Sequence, residues 1–354
     1  ENYEPAPGIG FEDAVKYRKK QGFNSVSIIS CFPNWDADCK PSTYADKNGI
    51  FVRNAWEKFG YDVAEATGID ASGGLSYWGT LTAKEMRDEY GNLPFAMSQI
   101  HKGVSDFNRI NPQYFQSLDR KMEFLLQEGF VPLLETVRRD VGPSWYAYFD
   151  FNETFARFVQ YLIARYGAYN IIFSGIHLDW IPQEFSLTAE QFNEALTYHL
   201  EKYGPMPFEQ PVTTLISSST YSVFGHYRDC PWLTMHSVGN KPRDHRVADS
   251  LEIIFRLEPP YPAINFEPYY TGWDHEINMP NGERPPANSD RDNYFARAQM
   301  YGSVLSGGLS GHVHGTSAYD ITTTGEPVGK RHHIWEALKF ESANYMKHLS
   351  SFIL

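Results

Sequence analysis

The chain repeats one unit along its length: a helical segment that stops at a glycine, a short apolar run, then a loop of acids and aromatics. The unit is plainest at residues 111–135. After Asn111-Pro112, the side chains Phe115, Leu118, Met122, Leu125 and Leu126 share one helical face, and Gly129 stops the helix. Phe130-Val-Pro-Leu-Leu134 then reads as a strand that ends at an acid, Glu135. The next unit has a helix from Thr154 with Phe155, Phe158, Val159 and Leu162 inward, Gly167 as its stop, and a strand from Asn170 to Ile176.

Other turns of the cycle extend the pattern in both directions. Upstream lie a helix over Phe11–Gln21 and a strand over Asn24–Cys31. Downstream the spacing predicts helices near 188–203, 246–255, 292–305 and 334–349. Strands are predicted at Val212–Ile216 and Leu233–His236, in the run from Pro262 to Glu267, and in the glycine-rich stretch Gly307–Gly315. Strands that alternate with helices at this interval imply parallel pairing. No G-x-G-x-x-G or Walker loop opens a helix, which argues against a nucleotide-binding doubly wound sheet. Acids follow several different strands, as they do at the carboxyl face of a barrel. The expected fold is therefore α/β, a (β/α)8 TIM barrel over residues 1–354 as one domain, with a long insertion between early strands. That insertion, residues 37–111, should hold short helices and wall one side of a cleft.

Composition narrows the partners. The net charge is −12, from 31 basic and 43 acidic residues, which argues against a nucleic-acid footprint or a basic membrane-binding patch. No apolar run is long enough to span a bilayer, and Glu1-Asn-Tyr-Glu-Pro5 lacks a signal-peptide pattern, although a processed secreted chain fits. Cys31, Cys39 and Cys230 match no zinc spacing, and free thiols are expected over a Cys31–Cys39 bridge. Aromatics make up 16% of the chain, and many fall in presumed loops: Trp35, Trp78, Trp145, Tyr146, Tyr148, Trp180, Tyr269, Tyr270 and Trp273. Flat apolar rings with polar edges suit the faces of sugars, with plain packing as the alternative for each.

Two strand-end carboxylates stand out. Glu267 closes the apolar run Pro262-Ala-Ile-Asn-Phe266 before Pro-Tyr-Tyr270, and Asp179 closes the run from Tyr169 to Leu178 before Trp180. Paired acids at strand ends point to hydrolysis by acid/base and nucleophile, and no cofactor is implied. Around them Asn34, Trp35, Glu135, His177, Trp180, His236, Tyr270, Trp273 and His312 are candidate substrate-binding residues. His177 is expected on the strand face opposite Asp179, where it is equally a packed histidine or a ligand for hydroxyls. His312-x-His314 has metal-ligand spacing, but metal-dependent barrels carry that pair on the first strand, and no metal is expected. Two rival readings remain beside the glycosidase: a carbohydrate-binding barrel without activity, and a metal-dependent hydrolase.

The chain resembles the apiosidase-like glycoside hydrolases of family 140. The likeness runs through Tyr17-Arg-Lys-Lys-Gln-Gly-Phe-Asn24, Asn111-Pro-Gln-Tyr-Phe115 with Asp119, the segment Ala156–Tyr166 with Asn170-Ile-Ile172, and Phe266-Glu-Pro-Tyr-Tyr270 with Tyr301-Gly-Ser-Val-Leu-Ser-Gly-Gly308. It implies a (β/α)8 barrel, an acid/base at Asp179 and a nucleophile at Glu267, a carbohydrate substrate, and a secreted or periplasmic location. Two features depart from the family pattern. Ile176-His-Leu-Asp179 stands where the family has Gly-Gly-Asp, so the loop aiming Asp179 differs. A first strand before residue 11 and a C-terminal β-sandwich are not read here, so a truncated or processed chain, or an irregular first strand in residues 1–10, is expected.

Overall fold

In the computed structural model α1 (Phe11–Lys20) leads into β1 (Ser25–Cys31), and two antiparallel pairs follow: β2 (Tyr44–Ala45) with β3 (Phe51–Val52), and β4 (Phe95–Met97) with β5 (Ser105–Ile110). The chain then alternates through α2 (Pro112–Gln127), β6 (Val131–Val137), α3 (Phe151–Tyr166), β7 (Ile172–Leu178), α4 (Ala189–Tyr203) and β8 (Val212–Ile216). It continues with α5 (Thr220–Phe224), β9 (His236–Val238), α6 (Arg246–Phe255), β10 (Ala263–Asn265) and the short β11 (Tyr270–Thr271). The last part holds α7 (Asp290–Leu305), β12 (Gly315–Thr316), α8 (Ile334–Ala337), a 3-10 turn over Glu341–Asn344 and α9 (Tyr345–Ile353). The described residues are 8–31, 44–45, 51–52, 88, 90–100, 105–137, 145, 149–178, 188–216, 218–239, 246–272, 285–317 and 332–353.

β1, β6, β7 and β8 form one parallel sheet in that order, and β9 pairs in parallel with β10. The amides of Thr234 and Met235, just before β9, both donate to the Val212 carbonyl at 3.0 Å, which joins β8 to β9. On the far side Asn265 bridges in parallel to His312. The ends of the arc come together where Phe23 meets the His314 ring edge-on at 5.6 Å and Gln21 Nε2 donates to the Leu338 carbonyl at 3.1 Å. This is a (β/α)8 barrel.

Each strand divides its side chains between two layers. Outward residues such as Leu134, Phe173 and Ile216 join Phe115, Phe155, Phe158 and Phe192 from the helices in the main core. Inward residues Leu133, Leu215, Ile264 and Phe266, with Met235, form a separate apolar plug that Ile172 and Val313 pack against. Helix starts carry side-chain caps: Asn111 accepts from Gln113 N, Asp150 from Glu153 N and Thr188 from Gln191 N. Each cap is worth about 1 kcal/mol. Asp119 on α2 takes a two-pronged contact from Arg165 on α3, at 2.7 and 2.5 Å, and a hydroxyl from Tyr166 at 3.0 Å. The planar guanidinium matches the carboxylate and fixes the two helices against each other.

Several boundaries differ from the sequence expectation. β6 runs on to Val137, so Glu135 lies within the strand. β9 starts at His236 where the sequence had a strand ending there. The stretch 307–315 is no continuous strand: Gly307 (φ 106°) and Gly311 (φ 130°) bend the backbone out of the extended region, and His312 makes a single bridge. The last helix is split by the turns around Leu338 and Phe340 into α8, the 3-10 turn and α9. Within residues 37–111 the described residues form two antiparallel pairs, and most of the stretch expected to hold short helices lies outside the described residues. Trp145 is fully buried, stacked on Phe107 at 4.1 Å, with Nε1 donating to Thr154 Oγ1, so it serves packing and not a sugar face. Tyr269 is likewise in the core. Cys31 and Cys230 are buried free thiols, and burial pushes Cys230 up to about 12; Cys39 lies outside the described residues.

Burial also lowers several imidazoles, His199 and His236 to about 4, His312 to about 3 and His314 well below the ordinary value. These rings are neutral in the folded chain, so the unfolded chain binds more protons at acid pH. Their contribution to stability is complete above about pH 6.5 and is lost as the pH falls from there to about 4 for His199 and His236 and to about 3 for His312. At pH 5 each should cost about 1–2 kcal/mol. Thermal unfolding from pH 7.5 to 4.5 should show a falling Tm, with His199→Gln flattening the slope; a Tm constant over that range would contradict it.

Candidate active site

The inward positions beyond the apolar plug carry the polar groups. Glu135 projects inward from β6 and is 1% exposed. Its Oε1 accepts from Ser27 Oγ on β1 at 2.5 Å, and its Oε2 lies 2.6 Å from His177 Nδ1 on β7. His177 reaches that position through a bulge. Ser174 pairs with Thr213 and His177 with Leu215, so three steps along β7 match two along β8. Hydroxyls on the flanking strands take up carbonyls at the bulge: Thr136 Oγ1 donates to Gly175 O at 2.6 Å, and Thr214 Oγ1 donates to Ile176 O. Gly175 must be small, because a Cβ there would lie 2.7 Å from Leu196 Cδ1 on α4.

The bulge turns His177 inward against Glu135, and its expected relation to Asp179 falls on a residue outside the described ones.

Glu267 follows β10 by two residues and is 1% exposed. The amide of Phe266 donates to Val238 O at 2.8 Å, so strand pairing persists almost to the acid. Gly239, just past β9, admits it, since a Cβ there would come within 2.9 Å of the Glu267 Cβ. Tyr270 donates its hydroxyl to Glu267 Oε1 at 3.3 Å. The Tyr270 ring lies over Gly315, its pairing partner in β12, so closely that a Cβ at 315 would sit 2.0 Å from the ring. Behind this loop Asp292, fully buried in the first turn of α7, accepts the Tyr269 hydroxyl and the amides of Gly272 at 2.9 Å and Asn288 at 2.7 Å. The Tyr269 amide donates to Gln299 Oε1 at 2.7 Å. A carboxylate at a helix N-terminus is also favoured by the helix dipole.

Two candidates are placed elsewhere. His236 stands at the amino end of β9, fully buried, with Nδ1 2.8 Å from Thr220 Oγ1 and Nε2 2.9 Å from His226 Nδ1. His226 Nε2 in turn donates to Pro259 O at 2.9 Å. It belongs to a hydrogen-bonded relay under α5, at the end of the strand away from Glu267. His312 pairs beside Asn265 and turns outward to Ser303 Oγ on α7 at 3.2 Å. His314 contacts Ser342 Oγ at 3.0 Å. No group of three or more His, Cys, Asp or Glu among the described residues could hold a metal ion. Asp179, Asn34, Trp35, Trp180 and Trp273 lie outside the described residues.

The sequence reading missed Ser27, Gly239, Asp292 and Gly315. Ser289-x-x-Asp292 carries a readable capping signal, and Ser289 does cap α7. Nothing local to it, however, announces the tie to Tyr269 and Gly272.

A family model described as the apiosidase-like catalytic domain matches residues 10–354. The chain belongs to this apiosidase-like family. Two solved structures resemble the domain. A glycoside hydrolase family 5 protein from Bacteroides vulgatus is 15% identical with a TM-score of 0.58, over 96% of this chain and 64% of that one. A second structure, described as a glycoside hydrolase, is 17% identical with a TM-score of 0.57, over 96% of this chain and 65% of that one. At such identity the likeness is one of fold, and the apiosidase-like domain spans just under two thirds of these relatives' lengths. No curated protein matched in sequence. No helix among the described residues is long and apolar enough to cross a membrane.

The close approach of Tyr270 to Gly315 gives a direct test. Gly315→Ala should displace the ring, break the Tyr270–Glu267 contact and cost about 1–3 kcal/mol of stability. Denaturant unfolding together with a crystal structure of the variant checks this; an unmoved ring and an unchanged midpoint would refute it.

Proposed function

We propose that this apiosidase-like domain is a retaining glycoside hydrolase acting on a plant, algal or microbial poly- or oligosaccharide, with Glu267 as nucleophile and Asp179 as acid/base. The observation that carries the reading is the setting of Glu267. A carboxylate at the carboxyl end of a barrel strand, nearly shut off from bulk water and held by the Tyr270 hydroxyl, is oriented for attack, and its loop is pinned by Asp292. A desolvated, fixed charge aimed at a developing cation is worth far more than the same charge in water.

In the proposed reaction Asp179 gives its proton to the leaving oxygen while Glu267 attacks the anomeric carbon from the opposite face. The glycosyl-enzyme ester that forms is then hydrolysed by a water that Asp179 deprotonates. Two inversions give net retention, and the two carboxyl groups should lie about 5–5.5 Å apart. In the same reading the whole chain is one catalytic domain, residues 37–111 wall the cleft, and Asn34, Trp35, Trp180, Tyr270 and Trp273 contact the sugar. The finer assignment to family 140 and a secreted or periplasmic location belong to this proposal too.

The roles separate on an activated aryl glycoside, whose leaving group needs no proton. Asp179→Ala should keep first-step turnover and be accelerated by azide to a product of retained configuration. Glu267→Ala should lose at least about 10³-fold in kcat, with azide giving only the inverted product. The opposite pattern exchanges the roles. Full activity in both variants removes these carboxylates from the chemistry.

A further inference from the structure

The bulge in β7 and the ion pair it creates have no part in the reaction just described, although both sit at the same end of the barrel. Burying a carboxylate beside an imidazole is costly unless the pair is well bonded, and an apolar pair of similar volume would pack there at less cost. The fold nevertheless spends a strand irregularity on turning His177 inward, flanks it with Thr136 and Thr214, and needs a glycine at 175 to fit it under α4. Bulges next to active sites re-aim a side chain.

The contacts constrain the ring. Glu135 Oε1 is engaged by Ser27 Oγ, which leaves Oε2 to face His177 Nδ1 at 2.6 Å. At that distance the carboxylate accepts, so Nδ1 carries a proton. Any second proton is on Nε2, which makes the ring an imidazolium. From β1 the facing group is Ser27 and from β8 it is Leu215, and neither titrates here. Glu135 on β6 is the charged group that faces His177 among the described residues, with Glu267 at the same barrel end and Asp179 two residues on in sequence. A carboxylate hydrogen-bonded to the ring favours the cation.

We propose that Glu135 is a positioning residue that keeps the His177 imidazole doubly protonated, and that His177 presents Nε2–H to a hydroxyl oxygen of the bound sugar. Such a donor binds a hydroxyl more strongly than a neutral amide does, because one partner is ionised. This rests on the glycosidase reading for the identity of the ligand, while the charge state of the dyad does not.

The test separates the two. Nitrogen-15 histidine spectra of the whole chain, with the His177 signals assigned by their loss in His177→Gln, should show an imidazolium that titrates at least about one pH unit above the ordinary value near 6.5. In Glu135→Gln, which keeps the shape and removes the charge, the midpoint should fall by about one unit or more. A neutral His177 at pH 6 in the unmutated chain, or the same midpoint in both, overturns the proposal. On the 4-nitrophenyl glycoside cleaved fastest by the unmutated chain, Glu135→Gln should raise KM about tenfold at pH 7 with kcat nearly unchanged, and move the alkaline limb of kcat/KM down with the spectral midpoint. A merely structural pair would lower Tm and leave the limb in place, and that result also overturns the proposal. If the unmutated chain cleaves no glycoside in the panel, the function proposed above falls and the sugar contact with it, and the dyad's charge state is then decided by the spectra.

Discussion

Inside a ring of parallel strands every second side chain points at its counterparts across the barrel, and those inward positions have to be filled without leaving polar groups unpaired. Here Leu133, Leu215, Ile264 and Phe266 meet around Met235 and close the lower interior with apolar side chains. One strand step above Leu133 on the same face stands Glu135. The change from apolar to charged within one inward step divides the barrel into a part that holds it together and a part available for chemistry. Outward positions carry a second requirement, the fit to the helices, and Leu134, Phe173 and Ile216 meet it with side chains from α2, α3 and α4.

The buried acids show how the upper part is kept stable. Asp292 accepts three donors, Glu135 accepts from Ser27 and His177, and Glu267 accepts from Tyr270. A carboxylate taken out of water costs several kcal/mol unless its oxygens are engaged, so the surrounding donors stabilise the fold as well as orienting the site. The division of labour differs among the three. Asp292 ties a loop to a helix, Glu135 ties β1, β6 and β7 together from within, and Glu267 takes the Tyr270 hydroxyl at 3.3 Å.

Glycines set the clearances of this end of the barrel. Gly175 lets Leu196 close over the bulge, Gly239 lets the Glu267 backbone turn in, and Gly315 receives the Tyr270 ring. Each clearance lies between residues far apart in sequence. A glycine read alone offers a turn or a strand break, and here Gly315 belongs to a strand while Gly307 and Gly311 do bend the chain.

The alternation of helices and apolar runs in the amino-acid sequence was enough to place α2, α3, α4, α6 and α7 and the strands between them, because the 3.6 and 2.0 periods and the helix starts at Asn111 and Thr188 are local properties. Glu267 at a strand end was legible for the same reason. Tertiary structure decided what each strand face would meet. Positions two apart share a face, yet the extra residue in β7, set by pairing with β8, is what brings His177 to Glu135. His236 was read at a strand's end and stands at its start, since β9 begins only where Pro262 provides a partner. Trp145 read as a loop ring and became core because Phe95, Phe107 and Phe158 converge on it from other elements. Spacing along the chain fixes the face of an element on which a side chain lies. Register and packing between distant elements fix what lies opposite, and no local pattern encodes them.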